Sequence, residues 1–126
     1  MNVYLDTHVL LFALGPQKRF PKRALSLLRR ASSLKLSPAS VLELALLREI
    51  GRLNAAPHEF IEAVAEVFPV SVCDRPFTSV AQAAVQFSWT RDPFDRLIVA
   101  QAHVAECVLL TKDDSIRSNF AHAAWD

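Results

Sequence analysis

The sequence predicts an α/β protein of three layers, with helices on both faces of a parallel sheet. Three observations carry that expectation. Short apolar runs and stretches of helical periodicity follow one another as strand, helix, strand, helix, helix, strand, helix, helix, strand. Strands separated by helices pair in parallel, because parallel neighbours need a long crossover. The chain is 52% hydrophobic and has only Gly 2 in 126 residues, so it has ample apolar surface to offset the entropy of ordering. Its length fits a single domain over residues 1–126, with no repeat, low-complexity segment or linker.

Residues 2–6 read as a short buried strand ending at Asp6. Thr7 to Leu14 continues as an apolar helical turn that Gly15-Pro16 stops. A strand whose carboxyl end delivers an acid into a following helix matches the place where open α/β sheets bind ligands. Residues 21–33 form an amphipathic helix, with Ala24, Leu25, Leu28 and Ala31 on one side and Arg and Lys on the other. Leu34-Lys35-Leu36 is a short strand. Ser37 is an N-cap and Pro38 a first helical residue, opening a helix that ends near Gly51. Pro57 and His58 start another helix through Val67. Phe68 to Cys73 alternates as a strand closed by Asp74-Arg75-Pro76, and Thr78 to Phe87 is helical. Asp92 caps a helix with Pro93 at its first position. Val108 to Thr111 is an apolar strand, followed at once by Asp113-Asp114-Ser115, and Ala121 to Trp125 supplies a short edge strand.

The formal net charge of +1 does not mark the protein as a whole as an obvious polyanion binder, but the charge is unevenly spread. Lys18, Arg19, Lys22, Arg23, Arg29, Arg30 and Lys35 fall in one stretch that no acid interrupts. Such a stretch is either a phosphate-contacting surface or a solvated helix face. Cys73 and Cys107 are too few and too far apart for a metal knuckle or a disulfide framework, and their apolar settings suggest reduced core residues of a cytoplasmic protein. No signal peptide is visible, and no run approaches the roughly 20 apolar residues that span a bilayer.

Four acids stand alone at the edges of apolar segments: Asp6, Glu43, Asp95 and Asp113. Glu43 is flanked by apolar residues, with Leu46 and Leu47 at i+3 and i+4 and no basic residue within a turn. Left ionised on a buried face it would cost several kcal/mol. Either that face is exposed or a positive partner comes from elsewhere in the fold. Helix capping suffices to explain Asp92; for Asp95, one helical turn on, it is incomplete. If the four acids gather at one end of the sheet, a cation must offset their repulsion. With oxygen donors and no His or Cys in the set, that cation is Mg²⁺ or Mn²⁺. Two such ions about 3.5–4 Å apart support phosphodiester hydrolysis. Thr7, Ser40 and Thr111 lie beside three of the acids, either to orient water, metal or phosphate or to make turn and cap hydrogen bonds.

Tyr4-Leu5-Asp6-Thr7-His8-Val9-Leu10-Leu11, Ser40-Val41-Leu42-Glu43-Leu44-Ala45, Arg91 to Ala102 and Leu109-Leu110-Thr111-Lys112-Asp113 together resemble the PIN domain, in particular VapC-type toxins of prokaryotic toxin–antitoxin pairs. Each motif is weak alone; four in register span nearly the whole chain. The resemblance implies a Rossmann-like parallel sheet and an acidic quartet, Asp6, Glu43, Asp95 and Asp113, binding Mg²⁺ or Mn²⁺, with Asp92 as a fifth acid. It implies a ribonuclease acting on single-stranded RNA by in-line hydrolysis, leaving 5′-phosphate and 3′-hydroxyl ends. An antitoxin protein and a homodimer are also implied. Asp113 and Asp114 are adjacent, and the family's turn favours Asp113. Phe12 stands where many relatives have Trp, and Thr90 precedes Arg91 where a His is frequent.

Two other functions compete. A haloacid-dehalogenase-type phosphatase would need a second acid two residues after Asp6, and that position is His8. A catalytically weak RNA- or protein-binding module would use the basic stretch without cutting. For the nuclease, RNA is expected to approach along Lys18, Arg19, Lys22, Arg23, Arg29 and Arg30, with unpaired regions preferred because exposed backbone must enter an acidic cleft.

Overall fold

A computed structural model describes residues 1–126. In chain order the elements are β1 (Asn2–Leu5), α1 (Thr7–Phe12), α2 (Lys22–Arg30), β2 (Ser33–Leu36), α3 (Pro38–Glu49), α4 (Pro57–Ala65), β3 (Val70–Val72), α5 (Phe77–Ala84), α6 (Pro93–Ala105), β4 (Val108–Leu110), α7 (Asp114–Asn119) and β5 (Ala123–Ala124). All five strands are parallel, in the order β3-β2-β1-β4-β5. The chain winds outward from β1 to β3, crosses back, and resumes at β4. The strand order therefore reverses between β1 and β4, and a crevice opens at their carboxyl ends.

Alternation along the strands divides the core between two faces. Val3 and Leu5 of β1, Leu34 and Leu36 of β2, and Leu110 of β4 join Val9, Leu10, Leu28, Leu44 and Val64 in one cluster. Tyr4 and Leu109 point the other way, onto Ile98, Val99 and Ala102 of α6 and Ile116 of α7. A third, small cluster seals α5 to α6 through Val80, Ala83, Ala84 and Ala100. The expected three layers are thus present, with β1 and β4 covered on both sides. No helix is long and apolar enough to cross a membrane.

The local chemistry explains where elements begin. Ser37 accepts from the Ala39 N–H and Pro38 occupies the first turn of α3; Asp92 and Pro93 do the same for α6. Boundaries differ from those expected by a few residues. Helix α2 ends at Arg30 because Ala31 is already extended, feeding Ser32, whose N–H donates to the Met1 carbonyl beside β1. Strand β3 is confined to Val70–Val72, α5 stops at Ala84, and the edge strand shrinks to Ala123–Ala124. Helix α7 was not expected. Its sequence is polar and buries only Ile116, so periodicity does not reveal it; its signal is the cap Asp113, which accepts from the Ile116 N–H at 3.0 Å.

Helix α6 ends on Glu106 in the left-handed conformation, φ 55° and ψ 44°, its N–H donating to the Ala102 and His103 carbonyls. Glycine adopts this conformation without the Cβ clash that costs other residues about 1–2 kcal/mol. Glu106→Gly is expected to stabilise the fold by about 0.5–1 kcal/mol after its greater unfolded-state entropy is counted, read as a higher urea midpoint. An unchanged or lower midpoint would show that the clash is relieved in another way.

Candidate active site

At the carboxyl end of β1, Asp6 is 5% exposed yet carries a carboxylate. Parallel register places Leu5 opposite Leu110, and the Asp6 N–H donates to the Leu110 carbonyl at 3.0 Å. Thr111 therefore arrives beside Asp6, and its hydroxyl donates to Asp6 Oδ2 at 2.8 Å while accepting the Asp113 N–H at 3.0 Å. Asp6 Oδ1 accepts the Thr7 N–H at 2.8 Å as α1 begins. Thr7 Oγ1 is hydrogen-bonded to Glu43 Oε1 and, at 2.9 Å, to the buried Ser40 Oγ, which ties α1 to α3. Thr7 and Thr111 are thus hydrogen-bonded to acids, and Ser40 to Thr7.

Glu43 is half-buried, though not for the reason the sequence suggested. Its i+3 neighbour Leu46 is 41% exposed, and so is Leu42 at 55%. The Glu43 Oε1 instead meets the Thr7 hydroxyl of α1. Burial raises its pKa above the usual carboxylate range; the Thr7 hydrogen bond lowers it, and the charges of Asp6 and Asp92 raise it further.

Helix α6 brings Asp95 into the same field. Its pKa is pushed up to about 7, by burial first and then by Asp92, Asp6, Asp113 and Glu43. Every one of these influences raises it, and no cation offsets them. Arg96 lies next in sequence but turns away, its Nε donating to the Thr90 carbonyl at 2.8 Å. Asp92 is exposed at the helix cap, accepting from Phe94 N at 2.8 Å and Asp95 N at 3.3 Å. Of the adjacent pair after β4, Asp113 is half-buried and within the field of Asp95, whereas the Asp114 side chain is 92% exposed and paired to Arg117 at 2.6 Å. The fold thus gathers Asp6, Glu43, Asp92, Asp95 and Asp113, and turns Asp114 outward.

The gathering is electrostatic rather than a closed cage, since no three His, Cys, Asp or Glu side chains converge tightly enough to grip one bare ion. A hard, hydrated cation still fits the donors. Mg²⁺ keeps several waters and takes only one or two carboxylates directly, and Asp6 retains lone pairs after its two hydrogen bonds. The uncompensated charge around Asp95 is what such an ion would neutralise.

His8 is a further polar residue at this site, one that the sequence does not single out as a site residue. Its Nε2 accepts the Lys112 N–H at 2.9 Å, which leaves the ring proton on Nδ1, 3.5 Å from Asp6 Oδ2. His8 therefore links the β4–α7 turn to Asp6 across 104 residues. An Asp-x-His triplet after a strand is a faint signal that sequence alone does not distinguish from a surface histidine.

The basic stretch divides. Arg29 donates to Gln17 Oε1, and Arg23 to the Asp126 carbonyl at 3.4 Å. Lys18, Lys22 and Arg30 are exposed and form no ion pair. Arg19 rests on Phe12, with its guanidinium carbon 5.6 Å from the ring centroid.

The raised pKa of Asp95 fixes a pH signature for metal-free protein. Between pH ~4 and ~7 the folded chain holds a proton that the unfolded chain has released, so stability falls as pH rises through that window and the whole cost is present above it. In excess chelator, Asp95→Asn is expected to exceed the parent by roughly 2 kcal/mol at pH 8 once solvent screening is allowed for. That exceeds the ~0.3–1 kcal/mol of helix-dipole benefit lost with the charge. At pH 4 the gap should close. Urea midpoints that do not separate between the two pH values would refute the crowding of charge.

Comparison with known proteins agrees with this architecture. The PIN domain family model matches residues 3–123. No curated protein matches the sequence significantly. Among solved structures, the chain is similar to VapBC2 from Rickettsia felis bound to a promoter DNA fragment, at 14% identity and TM-score 0.69, covering 100% of both chains. It is similar to VapBC-1 from nontypeable Haemophilus influenzae at 17% identity and TM-score 0.68, covering 100% of this chain and 97% of that one. It also matches VapC20 of Mycobacterium tuberculosis, a Sarcin-Ricin loop cleaving toxin, at 16% identity and TM-score 0.59, covering 94% and 95%. Identities this low speak for the fold, while the family model covers nearly the whole chain: this chain belongs to the PIN domain family.

Proposed function

We propose that the chain is a metal-dependent endoribonuclease that cuts single-stranded regions of RNA as the toxin of a toxin–antitoxin pair. The observation that carries this reading is Asp95, a half-buried carboxyl that only negative charges perturb, at the switch point of a parallel sheet. Membership of the PIN family and likeness in fold to a Sarcin-Ricin loop cleaving toxin support it.

In this proposal Asp6, Glu43, Asp95 and Asp113 would hold hydrated Mg²⁺ or Mn²⁺, with Asp92 adding negative potential from the rim. Bound there, the cation supplies charge stabilisation for the attacking and departing oxygens of an in-line displacement. Asp6 is held still by Thr7 and Thr111, and Glu43 by Thr7, so neither side chain must reorganise when substrate arrives. The raised pKa of Asp95 lets it carry a proton near neutral pH, one that a bound cation would displace. Water is the nucleophile and the ribose 2′-hydroxyl takes no part, so the products carry 5′-phosphate and 3′-hydroxyl ends. Lys18, Arg19, Lys22, Arg23, Arg29 and Arg30 attract the RNA backbone, an attraction that added salt weakens.

A partner surface fits the same reading. Leu42, Leu46 and Ile50 are 55%, 41% and 65% exposed at four-residue spacing along α3. An apolar stripe of this kind suits an antitoxin segment or a second copy of the chain. The solved neighbours include VapBC assemblies, in keeping with an antitoxin partner. The free cysteines Cys73 and Cys107 suit a reducing, cytoplasmic setting.

The deciding experiment incubates the protein with total RNA and Mn²⁺ and maps the cut ends beside an Asp95→Asn control. Cleavage with 5′-phosphate ends, reduced by at least about 100-fold in the control, is expected for loss of a charge-bearing catalytic group. Cyclic 2′,3′-phosphate ends would exclude the mechanism. RNA binding without cleavage would favour a catalytically weak binding module, and hydrolysis of a simple phosphomonoester would favour a phosphatase.

A further inference from the structure

An open pocket of about 460 Å³ adjoins the acids, lined by His8, Phe12, Lys112, Asp113, Asp114 and Ser115. Its two sides differ in chemistry. Asp113 belongs to the acidic group, while the Asp114 charge is taken up by Arg117 at 2.6 Å. The opposite wall is aromatic and cationic. Phe12 is incompletely buried, yet it is braced from behind by Phe20 and Trp125, with ring centroids at 6.3 and 6.4 Å. The His8 ring meets it at 60° with centroids 5.9 Å apart, so the two rings form a fixed corner. Two exposed cations sit at the same ring: Lys112 Nζ lies 5.9 Å and the Arg19 guanidinium carbon 5.6 Å from its centroid.

We infer that this pocket is a subsite for one unpaired nucleotide of the RNA strand, with the base against Phe12 and a phosphate drawn to Lys112 and Arg19. A braced aromatic ring flanked by flexible cations is the combination that single-stranded nucleic acid requires, since every base has a face to stack and every linkage a charge. The cations now resting at the ring do not obstruct the base. An exposed cation–π contact is weaker than base stacking, and both side chains gain a charged acceptor in the phosphate when they leave the ring. Proximity to Asp113 places this nucleotide beside the bond to be cut. A base held in a duplex offers no free face, so the subsite makes Phe12 a determinant of single-strand selectivity. The inference rests on the ribonuclease reading and adds to it where the strand is gripped.

The test measures affinity for a labelled eight-nucleotide single strand and for its duplex, with Mn²⁺, in an Asp95→Asn background so that the RNA survives. Phe12→Leu retains apolar bulk against Phe20 and Trp125, and its thermal midpoint verifies folding. It is expected to weaken single-strand binding about 5- to 150-fold, the equivalent of one lost stacking contact, and to leave duplex binding unchanged. Phe12→Trp should restore it, and Lys112→Ala should lower the salt slope by about one. Single strands with one abasic position, bound by protein with Phe12 intact, should show the same loss at one position only. Unchanged binding by folded Phe12→Leu, equal losses for strand and duplex, or no position-specific abasic effect would each overturn the subsite. If the chain with Asp95 intact still cleaves RNA, the subsite alone has failed. If it neither binds nor cuts RNA, the ribonuclease reading falls with it.

Discussion

The parallel register between β1 and β4 is the constraint on which the rest of the site depends, because it sets Leu5 opposite Leu110 and so delivers Asp6 and Thr111 side by side. The two residues are 105 positions apart and meet through one 2.8 Å hydrogen bond. A slip of one residue would part them and also turn Tyr4 and Leu109 into the opposite core. Apolar packing on both faces therefore enforces polar geometry at the end. From that anchor the connections spread: Asp6 to Thr7, Thr7 to Glu43 and Ser40 on α3, and Thr111 to the turn that presents Asp113.

The acids are gathered at some cost to the fold. Glu43 and Asp95 are both shifted toward the protonated form by burial and by negative neighbours. A chain selected for stability alone would place a cation there, and Arg96 stands one residue from Asp95 yet faces the Thr90 carbonyl. The fold tolerates the crowding because the central strands are covered by apolar side chains on both faces. Unfavourable charge in a crevice at a strand-order reversal is the arrangement expected of a site awaiting a positive ligand.

Across that crevice the chemistry changes over a short distance. Asp113 lines a pocket together with Phe12 and Lys112, and Arg19 comes from the basic stretch to the same ring. The formal net charge of +1 thus conceals an acidic centre with a cationic and aromatic border. Such a border suits the proposed RNA substrate, whose charge the acidic centre by itself would repel.

Much of this was legible in the chain itself. Asp6, Glu43, Asp95 and Asp113 were conspicuous because ionised groups beside apolar runs need a partner, and the caps Ser37-Pro38 and Asp92-Pro93 announce their helices by local chemistry. Alternating strands and helices determined the parallel three-layer class. The sequence did not reveal what depends on contacts between distant segments. Helix α7 lacks apolar periodicity, and Glu43 meets the Thr7 hydroxyl of α1 while its own helical neighbours Leu42 and Leu46 face outward. Which of Asp113 and Asp114 faces the acids was settled by the Arg117 pair and the cap of α7. His8 gained its place only when the Lys112 amide came to its ring. Local propensity and charge placement are written residue by residue, so the sequence determined the elements and the candidate acids. Direction, burial and pairing across 100 residues arise from packing the sheet, so the tertiary structure alone decided which groups meet.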